Sequence, residues 1–199
     1  LLTLRTLGLA LAATLLAGLA ALLLAIAKRW SRARWLRGVT FLAGMGYAIP
    51  GAVLALALLV IGAPWQLSPI LLLLWGYSDR FLAVNKGGID AALERLSPSL
   101  DEAATGLGLR WPAVLKRVHL PLLRGPILVG SLLVFVDTVK ELPLTFALRP
   151  FDFDTLAVRV FQYAGDERLA AAVWPALMIL VLGLVASSAL VPRLDRDTE

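Results

Sequence analysis

The chain has 199 residues, 59% of them hydrophobic, with a mean hydropathy of +0.82 and only 17% charged. A soluble domain carries about 25% charged residues, so this composition excludes an ordinary soluble enzyme or binding module and points to an integral membrane protein. Cysteine is absent and His119 is the single histidine, which excludes disulfides, thiolate sites and a histidine metal cluster, and the net charge of +5 sits beside apolar runs, where it orients a membrane protein rather than attracting nucleic acid.

The apolar runs approach the roughly 20 residues that cross a bilayer as a helix, and no barrel-type alternation accompanies them. The expected architecture is all-α, a polytopic transmembrane bundle of about five spans forming a single domain over residues 1–199. The first span covers about Thr6 to Ala27. It is too long for a signal peptide and is followed by Lys28, Arg29, Arg32, Arg34 and Arg37 with no acidic residue among them. The second, about Val39 to Ile61, contains Pro50, which removes a backbone donor and predicts a kink. The third, about Gln66 to Val84, carries Asp79 and Arg80. A polar loop from Asn85 to Arg124 leads to the fourth span, about Gly125 to Phe146. An outer segment with Arg149 to Asp154 then leads to the fifth, about Ala170 to Val191, and to an inner tail from Pro192 to Glu199. This layout puts thirteen of the 19 Lys and Arg on inner segments and four on outer ones, which favours a cytoplasmic loop and C-terminus. Leu1 is not a start methionine, and five spans with an outer amino terminus lead to the expectation that an odd number of spans, or a translocated segment, precedes it.

Within the polar loop, Ser97-Pro98 supplies a capping hydroxyl before a proline at the first helical position, and Ser99 with Glu102 offers a capping box. A short helix starts here and ends near Gly106 to Gly108, where glycine allows the positive φ of a helix terminus. Pro112 suits the start of a second short helix that Pro121 limits. Ala103 and Ala104 leave room for close approach by a partner, and Glu102 adds an anionic anchor. The alternative is an amphipathic interfacial loop whose Lys116 and Arg117 meet lipid headgroups.

Asp137, Lys140 and Glu141 lie in or near the fourth span. Each charge at a helix centre costs about 2.5 to 3.5 kcal/mol, so these must be paired, wet or near an edge. Their spacing places Lys140 between two carboxylates on one sector. They either line a translocation path or, if the helix starts near Leu120, reach the outer headgroups roughly 30 Å along. Asp79 and Arg80 read as a local ion pair at the inner rim, and Trp30, Trp35, Trp65 and Trp174 as interfacial belts.

Glu102 to Pro121 reads EAATGLGLRWPAVLKRVHLP. It resembles the EAA loop of ABC-transporter permeases: Glu102, Ala103, Ala104, Gly108, Leu120 and Pro121 fall on that pattern, with Val118 where the family usually has Ile. AIPGAVLALAL at Ala48 to Leu58 and KELPLTFALRPFDFDTLAVRVFQYAGDERLAAA at Lys140 to Ala172 are similar to the C-terminal half of fused ferric-iron permeases. The resemblance implies a type I importer permease in a bacterial inner membrane, with residues 97–121 as a cytoplasmic coupling loop. It further implies two copies of an ABC ATPase subunit, a periplasmic binding protein and the other permease half as partners, beside membrane lipid.

The chain has no phosphate-binding Gly-x4-Gly-Lys-Ser/Thr loop, so ATP belongs to the partner. The chain is read as a transport subunit with no catalytic residue, resident metal or cofactor of its own. Ferric iron, as cargo, prefers oxygen ligands, for which Asp137, Glu141, Asp152 and Asp154 are the candidates. Arg149 to Asp154 and Arg159 to Arg168 are candidates for docking the binding protein. Thiamine, a polyamine or a phosphonate is the alternative cargo, and a proton-coupled secondary transporter working through Asp137 and Glu141 is the alternative class.

Overall fold

A computed structural model describes residues 1–31 and 33–195, with side chains through 189; Arg32 and the last four residues of the expected tail lie outside it. The described chain is helical throughout, without a strand. Helix α1 (Leu2–Trp30), the combined helix Trp111–Val139 and the stretch Leu169–Ala189 of the last helix are long and apolar enough to cross a membrane. The first and fifth expected spans correspond to α1 and the last helix. The other three differ from expectation, each for a local reason.

The second span is two helices, α2 (Arg34–Met45) and α3 (Gly51–Gly62), separated by a 3-10 turn at Gly46–Ala48 and an extended Ile49-Pro50. Proline forces its predecessor out of the helical region, so Pro50 breaks the helix and starts the next one instead of kinking it. Gly46 allows the break to lie against the backbone of the helix that carries Asp79, since a Cβ there would stand 2.2 Å from the Asp79 carbonyl oxygen.

The third span is α4 (Pro69–Arg95), eleven residues longer than the expected end at Val84. Its charged half stays helical because it is paired: Lys86 Nζ lies 2.6 Å from Asp90, and Lys28 on α1 reaches the same carboxylate at 3.4 Å. The polar loop is therefore shorter than expected. It holds α5 (Pro98–Gly106) and then α6 (Trp111–Val114), which does not stop at Pro121. One π turn at Leu115–His119, with the Leu120 N–H donating to the Leu115 carbonyl, carries the helix into α7 (Leu120–Val139). The wider turn accommodates the proline ring, which would crowd the preceding carbonyls in strict α geometry. The fourth span thus begins nearer Trp111, ends at Val139, and is followed after a break by α8 (Pro143–Leu148). Two further helices, α9 (Leu156–Gly165) and α10 (Leu169–Asp195), complete the described residues.

Helices α1, α4 and α7 form the centre. Ala10, Ala13, Ala17, Ala21 and Ala25 are at most 1% exposed and recur every three or four residues, so they form one stripe of α1. Small residues let helix backbones approach closely where lipid offers no hydrophobic drive to associate. Leu4, Leu11, Leu15, Leu19 and Leu23 cover the outward side. Gly18, Asn85 and Gly130 meet at one level of this bundle, with α1 and α4 parallel and α7 antiparallel to both.

Candidate functional site

At the Arg29 end of the bundle, α5 is built as a separate short helix. Ser97 is its N-cap, accepting from the Ser99 N–H at 3.3 Å, with Pro98 at the first helical position. The expected Ser99–Glu102 capping box is not formed, because Ser99 already lies inside the first turn and its hydroxyl pairs with Ser97 at 2.7 Å. At the other end, Gly108 takes φ +81°. The Gly108 N–H donates to Thr105 at 2.9 Å and the Leu109 N–H to Ala104 at 3.1 Å, a Schellman closure that a left-handed glycine permits.

The candidate coupling residues divide between two faces. Glu102 and Ala103 are exposed, whereas Ala104 is buried. Ala104 therefore packs α5 against the protein, and only Ala103 leaves the outer face open to close approach. Leu120 and Pro121 lie beyond the π turn, at the start of α7, and Pro121 is exposed.

Sequence reasoning missed the inward anchor, Asp101. One carboxylate oxygen accepts from Arg29 Nε at 2.7 Å, and the other stands 2.7 Å from Nε2 of His119, as a close polar contact rather than an aligned hydrogen bond. Arg29 also donates to the carbonyl of Leu93 at 2.7 Å and to that of Leu96 at 3.2 Å, capping the last turn of α4 with a cation. His119 is fully buried, with Trp30 edge-on to its ring at 5.3 Å and Trp111 edge-on to Trp30 at 5.6 Å. His119 thus contacts neighbouring helices, and Trp30 packs here instead of serving only an interfacial belt. The adjacent Asp101 and Glu102 were the available signal: consecutive helix positions point about 100° apart, so one faces inward when the other faces out.

The second candidate cluster sits where two helices break. Lys140 Nζ lies 2.9 Å from Asp137, and the Tyr47 hydroxyl donates to Asp137 at 3.4 Å. Glu141 turns away from Lys140. Its Oε2 lies 3.9 Å from Nε of Arg80, and its Oε1 accepts the Leu144 N–H at 3.1 Å, capping α8. Lys140 is therefore not shared between two carboxylates, because the helix ends at Val139 and sends the next residues in different directions. Arg80, expected beside Asp79 at the inner rim, instead donates to the Ile49 carbonyl at 2.6 Å and lies over the Tyr47 ring at 5.5 Å. It is five residues from Asn85, about 7.5 Å along α4, and Asn85 is level with Gly18 near the middle of α1. The network therefore lies about level with the middle of α1, at the broken ends of α2, α3, α7 and α8.

At the Arg5 end, Arg149 and Arg159 both engage Asp154, the latter at 2.8 Å, and Arg5 donates to the carbonyl of Asp152. The four candidate acidic ligands do not converge. Among the described residues no three His, Cys, Asp or Glu side chains form a metal-holding group.

The Fe(3+)-transport system permease protein FbpB 2 of Haemophilus influenzae is 27% identical over 138 residues, which are 68% of this chain and 27% of that protein. The chain thus spans about a quarter of the length of that relative. Among solved structures, the MetNI methionine ABC transporter in inward-facing conformations matches with a TM-score of 0.76 at 16% identity, over 100% of this chain and 95% of the other. An amino acid ABC transporter with histidines matches at 0.71 and 18% identity, over 97% and 91% of the two chains. A bacterial ABC transporter involved in import of the acidic polysaccharide alginate matches at 0.65 and 16% identity, over 94% and 78%. These likenesses are of fold. The family model for the inner membrane component of binding-protein-dependent transport systems matches residues 13–199, and the chain belongs to that family.

Proposed function

We propose that this chain is the membrane-spanning permease part of an ATP-driven importer that carries a ferric solute, delivered by a periplasmic binding protein, across the bacterial inner membrane. The observation that carries this reading is the helix α5. It is capped at both ends, anchored by Asp101 on one face, and presents Glu102 and Ala103 on the other. A short rigid element of this kind suits docking by a separate ATPase, and ATP-driven closure of two such subunits would move it and shift a two-state bundle between its packings. In this reading α5 and the C-terminus face the cytoplasm, and the Asp137, Lys140 and Glu141 network with Arg80 borders the path, where weak, exchangeable contacts let a solute leave as well as enter. Ferric iron is the favoured cargo because of the Haemophilus relative.

The test is uptake in proteoliposomes carrying the complete transporter with its ATPase and binding protein. ATP-dependent uptake of labelled ferric iron, above that of thiamine and putrescine, is the expected result. Preference for either organic cation overturns the cargo, and uptake driven by a proton gradient without ATP overturns the class.

A further inference from the structure

Two long helices and the short one meet at a single carboxylate, and a third long helix is tied in through Arg29. Asp101 belongs to α5, Arg29 to the last turn of α1, and His119 to the π turn that opens α7, while Arg29 also holds the carbonyl end of α4. All three side chains are mostly shielded, with 18%, 13% and 0% of the Asp101, Arg29 and His119 side chains exposed. Trp30 and Trp111 pack beside the histidine. A charged contact shielded in this way is stronger and more direction-dependent than one in water. The outer face of α5 remains free, so a partner can grip it without disturbing these contacts.

We propose that Asp101, Arg29 and His119 form a latch that makes α5 move as one body with α1, α4 and α7. Asp101 is a positioning residue and touches no solute. The guanidinium fork fixes the angle of α5 by binding its carboxylate and the carbonyls of Leu93 and Leu96 together, which an ammonium with its single charged nitrogen cannot do. His119 packs against the other oxygen of the same carboxylate, so that rotation of α5 pulls on the end of α1 and presses on the start of α7. The latch rests on the reading of α5 as the element gripped by the ATPase, but its mechanical part can be measured apart from that reading.

Two measurements separate the latch from its driver. In the full-length chain, spin labels at Ala27 and Ala103 report the distance between α1 and α5. A narrow distribution is expected in the parent, and a broadened one in Asp101→Asn. In the reconstituted complex, Asp101→Asn is expected to keep ATP hydrolysis while solute moved per ATP falls about tenfold or more, with Asp101→Glu restoring most of it. Arg29→Lys, which keeps the charge but loses the fork, is read in the same way should Asp101→Asn fail to assemble. A distribution as narrow as the parent's, or an unchanged transport ratio in either variant, overturns the latch. Absence of any crosslink from Ala103 to the ATPase, with the distribution still broadened by Asp101→Asn, overturns the driver and leaves the latch standing.

Discussion

Two glycines carry more of this structure than their size suggests, and they differ in what a methyl group would strike. At Gly130 an added Cβ would stand 2.2 Å from Asn85 Oδ1 and 3.2 Å from Asn85 Cα, while at Gly46 it would stand 2.2 Å from the carbonyl oxygen and 2.9 Å from the carbonyl carbon of Asp79. A side-chain oxygen can turn away, but a helix backbone cannot. Gly46→Ala is therefore expected to destabilise more than Gly130→Ala, each within the range of about 1 to 3 kcal/mol typical of overpacking. Asn85→Ala should relieve Gly130→Ala in part, because it removes the nearest obstacle, and should do nothing for Gly46→Ala. Thermal unfolding of the four variants in detergent checks the order. Equal losses at the two glycines, or relief of both by Asn85→Ala, would contradict the contacts described. Neither glycine's purpose could be read in advance, since the atoms that demand it lie 33 and 45 positions away in the chain.

At the scale of elements, the alanine stripe of α1 sets how closely the central helices approach. Ala17 is fully buried, whereas Leu19 is 51% exposed on the opposite side. Ala17→Leu adds three heavy atoms to a filled interface and should cost about 1 to 3 kcal/mol; Leu19→Ala, on the exposed side, should stay within about 0.5 kcal/mol. Loss of protease resistance in the first variant but not the second is the measurement, and equal behaviour would show that the stripe does not govern packing. The apolar α1 and α10 were plain in the sequence because hydropathy over some twenty residues is a local property. Helix α4 was only half recognised, since Lys86 and Asp90 read as a loop until their pairing with each other and with Lys28 makes a buried helix affordable. The two ends of α5 were foreseen from Ser97, Pro98 and Gly108, where side-chain and backbone chemistry act within a few residues. Pro121 misled for the converse reason: a π turn just before it absorbed a residue that normally ends a helix.

Across the whole molecule, two clusters of charge lie at different depths, and they make different demands on the fold. The Asp101 latch ties helix ends together, whereas Arg80, Tyr47, Asp137, Lys140 and Glu141 sit at the breaks between α2 and α3 and between α7 and α8. Broken helices inside a membrane leave backbone groups that need partners or a wet cavity, and here Arg80 takes the Ile49 carbonyl while Glu141 takes the Leu144 N–H. Arg80 Nε and Glu141 Oε2 stand 3.9 Å apart, at the wide end of ion-pair distances. Glu141→Gln keeps an acceptor for Leu144 and removes only the charge, so the break should persist while stability falls by about 1 to 3 kcal/mol. Adding Arg80→Gln removes the uncompensated cation and should recover part of that loss, because the two changes act on one contact and do not add. Transport discriminates the roles. If the network borders the path, the double variant should regain stability yet keep an altered uptake rate, since the charges met by the solute are gone; uptake that recovers together with stability would make the network a structural brace.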